Sequence, residues 1–254
     1  MQHFLLTLAF KGTQYHGFQV QQNALSICTV LQNAMETVFG TRPDVKGSSR
    51  TDAGVHALGY GVSFFAPKPI AALKLPLALN RFLPADIKVQ AAREVPQGFH
   101  ARYSAVSKEY IYRIRNSAIE SPFDADTAWR FSAPLDADAM AAAAQLAVGT
   151  HNFAAFMSAG SKIEDTVRTV HFFTVRREGD NITCHISADG YLYNMVRILV
   201  GTLVEAGLHR MRPEQMTQII AGEDRAAAGD TTPAKGLFLY KVNYPETAFM
   251  EETT

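Results

Sequence analysis

Cysteine is nearly absent from this chain, and no long apolar run goes uninterrupted. Only two of the 254 residues are cysteines, Cys28 and Cys184, far apart and each inside an apolar pattern. Neither lies in a C-x-x-C or a Cys/His cluster, which argues against a disulfide framework or a thiolate zinc site. Two buried free thiols in a reducing compartment are expected instead. The most apolar long segment, Tyr191 to Leu208, is broken by Asn194, Arg197 and Glu205, so it does not read as a membrane span. The opening residues His3–Phe10 alternate like a strand and carry neither the charged leader nor the cleavage site of a signal peptide. A cytoplasmic protein without membrane attachment is expected. Net charge is zero, with 24 basic and 24 acidic residues, so no global excess announces a polyanionic partner. No internal repeat or low-complexity segment stands out.

What is present is an apolar content of 47%, ample for a packed core in one large domain or two ordinary ones. After the strand His3–Phe10 comes a turn-rich loop, Gly12 to Gln21. Ile27, Val30, Leu31, Ala34, Met35 and Val38 then recur at helical spacing, with Gly40 placed as a C-terminal cap. Val62–Phe65 and Ile87–Val95 read as strands, with a short helix around Ile70–Phe82 between them. Tyr103–Arg115 is a long strand candidate, and Asn116 to Arg130 an irregular crossing. Asp136 caps a helix through Leu146. Val167–Arg177 and Ile182–Ala188 read as a hairpin around Glu178-Gly179-Asp180-Asn181. Helices over Tyr191–Leu208 and Pro213–Ala221 and a strand over Leu237–Tyr244 close the pattern. The reading is an α+β fold of two lobes, 1–104 and 105–254, each a mostly antiparallel sheet flanked by helices.

Chemistry concentrates in Ser49-Arg50-Thr51-Asp52-Ala53-Gly54-Val55-His56-Ala57. A guanidinium, a hydroxyl, a carboxylate and an imidazole fall there around a glycine that lets the chain bend, as in a functional loop carried on a sheet. Taken alone, Asp52 reads first as an ordinary turn aspartate bonding its own backbone. Arg197 changes the balance. Its helix is apolar nearly all round, so a guanidinium buried there needs a carboxylate or phosphate partner, and Asp52 is the natural candidate. A purely structural ion pair is the competing reading. On the strand Glu109-Tyr110-Ile111-Tyr112-Arg113-Ile114-Arg115, Tyr110 and Tyr112 share one face. Tyr112 reads as core, whereas Tyr110, at the open end of the strand, is placed to stack on a nucleobase.

Along nearly its whole length the sequence resembles the tRNA pseudouridine synthases of the A type. Arg50-Thr51-Asp52-Ala53-Gly54-Val55-His56-Ala57 matches their R-T-D-x-G-V-H-A loop. Phe10-Lys11-Gly12-Thr13-Gln14-Tyr15-His16-Gly17-Phe18-Gln19-Val20-Gln21 is similar to the opening motif. Phe99-His100-Ala101-Arg102, Lys108-Glu109-Tyr110-Ile111-Tyr112, Gly149-Thr150-His151-Asn152-Phe153, Tyr191-Leu192-Tyr193-Asn194-Met195-Val196-Arg197 and Pro233-Ala234-Lys235-Gly236-Leu237 follow in family order. The resemblance implies the pseudouridine synthase fold with an active site in the cleft between lobes. It implies isomerisation of uridine at positions 38, 39 and 40 of the tRNA anticodon stem-loop. It also implies that Asp52 is the nucleophile, that Arg50 holds the extruded base and that Tyr110 contacts the uracil. Arg197 would be the ion-pair partner of Asp52, and Leu237 an apolar wall. A homodimer is implied, with tRNA as partner and neither cofactor nor metal. Departures are Phe10, Lys11, Ser49 and Tyr191, none at a catalytic position. Two other classes stand beside this one. One is a metal-dependent hydrolase built on Asp52, His56, His100 and His151, which show no ligand spacing. The other is a non-catalytic tRNA-binding or folding protein on the same scaffold.

Overall fold

The computed structural model describes residues 1–161 and 163–249. It divides into two compact units, one made of Met1–Val106 with the chain from Leu239 onward, the other of Ser107–Phe238.

In the first unit, β1 (His3–Phe10) pairs antiparallel with β3 (His56–Phe65) on one side and with β4 (Ile87–Glu94) on the other. The short β2 (Val45–Gly47) adds to β3, and β10 (Leu237–Asn243) lies next to β3 in strand order. Alternation along β1 sends Phe4, Leu6, Leu8 and Phe10 into the core, where Phe64 meets both Phe4 and Phe39 at 5.9 Å. Phe39 belongs to α1 (Ile27–Phe39). Ser26 caps this helix by accepting the Thr29 N–H, and Gly40 ends it in the left-handed conformation at φ 76°. On the opposite sheet face, Leu5, Val95, Phe99 and Ala101 form a second cluster under Tyr244 and Phe249.

In the second unit, β5 (Ser107–Asn116) pairs antiparallel with β9 (Asn181–Ala188), β9 with β8 (Val167–Glu178), and β8 with β7 (Gly149–Asn152). The short β6 (Trp129–Phe131) runs parallel beside β5. The β8–β9 hairpin turns at Gly179, whose φ of 59° favours glycine. Helices α3 (Ala137–Gln145), α4 (Met195–Gly207) and α5 (Gln215–Gly222) complete this unit. Asp136 caps α3 by accepting the Asp138 and Ala139 N–H groups.

The α+β class and the mostly antiparallel pairing agree with the sequence reading. Several boundaries do not. The helix expected from Tyr191 begins at Met195, because Asn194 sits in the left-handed region at φ 62° and breaks the helical path. The strand expected from Tyr103 begins at Ser107, since residues 100–104 form a turn closed by the Ser104 N–H on the His100 carbonyl at 2.9 Å. The helix expected over Ile70–Phe82 is a 3-10 turn, Ala72–Lys74, followed by α2 (Leu75–Asn80). The helix expected from Pro213 starts at Gln215.

Candidate active site

The Arg50–Val55 loop leaves β2 and enters β3, and other backbone holds it in shape. Gly17, at φ 78°, lies so close to Thr51 that a Cβ there would overlap the Thr51 carbonyl oxygen. Gly12 approaches the Val55 carbonyl in the same way. The Gly54 N–H donates to the Tyr15 carbonyl at 3.2 Å, and the Val55 N–H closes a turn on the Asp52 carbonyl at 3.2 Å. Gly54 itself turns the chain at φ 79°. The Gly12–Gln21 loop therefore lies directly against the Arg50–Val55 loop, and Gly12 and Gly17 admit that close approach.

Side chains finish the scaffold. His56 is fully buried, and its Nδ1 accepts the Gly12 N–H at 3.0 Å. The Tyr15 hydroxyl donates to Asp86 Oδ1 at 2.9 Å, and the Lys11 N–H to the Asp86 carbonyl at 2.9 Å. Burial, with the hydrogen bond and charge of Asp86, pushes the Tyr15 hydroxyl up to about 12. Phe18 stacks on Tyr60 at 4.3 Å, and the Tyr60 hydroxyl donates to the Ser49 carbonyl while accepting the Ser49 N–H. Ser49 thus sits in a fixed backbone geometry. On this scaffold Asp52 is half-buried and Arg50 is exposed.

The second unit carries Tyr110, Arg197 and Leu237. Tyr110 is 6% exposed and meets Tyr191 edge to face at 4.9 Å. The Tyr191 hydroxyl donates to the carbonyls of Lys108 (2.9 Å) and Ile186 (3.3 Å), tying the start of β5 to β9. Burial raises its pKa well above 10. That tyrosine reads in the sequence as a mere departure from phenylalanine. Its hydroxyl, which phenylalanine lacks, fixes the strand that bears Tyr110. Arg197 is half-buried. Its Nε donates to the Thr232 carbonyl at 2.6 Å and its Nη1 to Asn194 Oδ1 at 2.8 Å. Thr232 returns the contact, donating from its hydroxyl to the Arg197 carbonyl at 3.0 Å. Leu237 is buried at the start of β10. Tyr112 is the core residue the strand pattern called for: fully buried, it donates to the Pro233 carbonyl at 2.7 Å, and Gly236 leaves room for its ring.

The histidines of the hydrolase alternative have other work. Besides His56, His100 Nδ1 faces the Arg102 N–H at 3.1 Å, and His151 Nε2 contacts the Val148 carbonyl at 3.0 Å. Among the described residues, no group of three or more His, Cys, Asp or Glu side chains is placed to hold a metal ion. No helix among them is long and apolar enough to cross a membrane. Both cysteines are free and buried, and burial pushes the Cys28 thiol up to about 11 and that of Cys184 up to about 12.

A family model described as tRNA pseudouridine synthase matches residues 7–104 and 143–245. A protein of Thermoanaerobacter sp. (strain X514) named tRNA pseudouridine synthase A is 43% identical over 244 residues, spanning 96% of this chain and 100% of the relative. Proteins of the same name from Acetivibrio thermocellus and Brevibacillus brevis are each 41% identical over 244 residues, with the same two coverages.

Proposed function

This chain belongs to the tRNA pseudouridine synthase family and isomerises uridine to pseudouridine in tRNA; on that premise we propose that Asp52 is its nucleophile and that its targets are uridines 38, 39 and 40 of the anticodon stem-loop. In this reaction the N1–C1′ bond breaks, the uracil turns and C5 joins C1′. C5 gives up a proton and N1 takes one, so there is no net redox change. The carboxylate starts the reaction by attacking C1′ or by removing the 2′ proton, and either route needs it ionised. Arg197 supplies positive charge to the site. Arg50 and Leu237 hold the extruded base, whose removal from the stack costs a few kcal/mol. Tyr110 packs on the uracil and relays the C5 proton through its hydroxyl.

One observation carries this reading. The Arg50-Thr51-Asp52 segment is clamped by the backbone of Gly12–Gly17, yet Asp52 remains half-exposed. A surface turn with no task would not require two glycines on a neighbouring loop to admit it. The enzyme would act in the cytoplasm as a homodimer. Asp52→Asn keeps the shape and removes the charge. It is expected to abolish pseudouridine formation while leaving tRNA affinity within about two-fold, since the lost interaction belongs to the chemical step. Turnover by that variant, or modification mapped outside positions 38 to 40, would overturn the assignment.

A further inference from the structure

Away from the catalytic loop, the turn His100–Ser104 holds an aromatic ring out into solvent. Tyr103 is 76% exposed. Exposure of one tyrosine is unremarkable by itself. The turn beneath it, however, is bound on every side. The His100 N–H donates to Ser104 Oγ at 3.0 Å, the Ala101 N–H to the buried Ser63 Oγ at 3.1 Å, and the Tyr244 hydroxyl to the Ala101 carbonyl at 2.7 Å. His100 braces the Tyr103 ring, with centroids 4.4 Å apart and planes tilted by 37°. Burial, with the charges of Lys46 and Arg102, lowers the His100 pKa, which favours the neutral ring.

Cations frame the platform. The Arg102 guanidinium lies over the Tyr103 ring, 5.6 Å from its centroid, so an arriving base shares that face with it or displaces it. Lys46, close enough to His100 to influence its protonation, is on β2, which runs directly into the Arg50–Asp52 loop. Its bridge to exposed Asp44 at 2.7 Å is a solvent-screened contact worth little, which a phosphate can replace. A rigid, open aromatic ring beside exposed cations matches the way unpaired nucleotides are bound: the base stacks on the ring and the phosphate meets the guanidinium. Because the ring is braced beforehand, little ordering cost remains when a base arrives.

We propose that Tyr103, with Arg102, is a stacking platform for an unpaired base of the bound tRNA other than the target uridine. This rests on tRNA as the substrate and names a second point at which that substrate is held.

The test uses Tyr103→Ala and Tyr103→Trp in the full chain. Trp129 is the only native tryptophan, so the wild-type signal can be subtracted. At fixed salt Tyr103→Ala is expected to raise the Kd for unmodified tRNA about ten-fold, the lower range for loss of one stacked base. Tyr103→Trp is expected to keep the affinity, and its emission to be quenched by tRNA but not by a fully paired RNA duplex. An unchanged Kd for the alanine variant overturns the platform. Tryptophan emission indifferent to tRNA does so as well, and equal quenching by the duplex removes the unpaired base from it. Weaker binding that accompanies dissociation of a dimer in sedimentation would instead make Tyr103 a contact between copies, and would also overturn it. Affinity and emission are read without turnover, so these outcomes stand apart from those of Asp52→Asn.

Discussion

In the first unit the Thr51–Val55 backbone is fixed by other backbone: Gly12 and Gly17 press against its carbonyls, and Tyr15 accepts from Gly54. Arg197 in the second unit is fixed through its own side chain, with Nε on the Thr232 carbonyl and Nη1 on Asn194. The difference shows two ways of holding a charged group. A carboxylate on a short side chain is placed by placing its Cα, so the main chain must be immobile. A guanidinium at the end of a long flexible stem is placed by giving its fork several acceptors, which cuts the freedom lost per bond formed. The first design tolerates no added carbon at a neighbouring glycine. The second tolerates no change in the shape of the donor.

Gly17→Ala should break the first design most severely. The new methyl group overlaps the Thr51 carbonyl oxygen, and φ 78° disfavours alanine, so the loop must shift. A displacement of about 1 Å costs roughly 100-fold in turnover. Gly179→Ala is the control: its φ is also positive, at 59°, but no atom lies within 4 Å of the added carbon. It should lose only about 1 kcal/mol of stability and no activity. Comparable turnover for both alanine variants would show that close packing against Thr51 has no bearing on the chemistry.

Arg197→Lys tests the second design with charge retained. An ammonium on a shorter, rounder group cannot reproduce the separate Nε and Nη1 bonds, so about a ten-fold fall in kcat is expected, with tRNA affinity nearly unchanged. Single-turnover rates beside binding isotherms would show it. A lysine variant as fast as wild type would mean that only the charge matters.

The contrast also marks what the sequence could reveal. Amphipathic elements with a punctuated end are plain in the sequence: β1, and α1 up to its Gly40 cap, follow from period and capping alone. The strands β2, β6 and β7 are not, because three or four residues are too few to display alternation. Asp52 and Arg197 stood out as charges in telling surroundings. The motif around Gly12 and Gly17 was visible too, but not what the glycines are for. A glycine advertises room for an approach without saying what approaches, and here it is a segment some 40 residues further along. The Tyr191 hydroxyl was hidden for a related reason: its acceptors are backbone carbonyls, which every residue has.

The smallest expected effect is alkaline, and it distinguishes buried protons from surface ones. Cys28 is raised by burial from 9.0 to about 11, and Tyr15 from 10.0 to about 12. Well below pH 9 both groups are protonated in either state. As pH rises from there to about 12, the unfolded chain ionises while the native one resists, so stability falls with rising pH. Urea midpoints taken across that window should decline less steeply for Cys28→Ala than for wild type. Parallel declines would assign the alkaline loss to other groups.

The split of the first unit across the chain bears on how it is made. The part of β10 that belongs to this unit, from Leu239, is synthesised only after the whole of Ser107–Phe238, at ordinary translation rates about ten seconds after Val106. During that interval the part of the β3 edge that β2 does not cover emerges from the ribosome with open hydrogen-bonding groups, a template for pairing with any other nascent strand. Slowing elongation within that intervening segment would lengthen the exposure. Yield of intact protein in the cell should therefore depend on codon choice there more than in the first hundred residues.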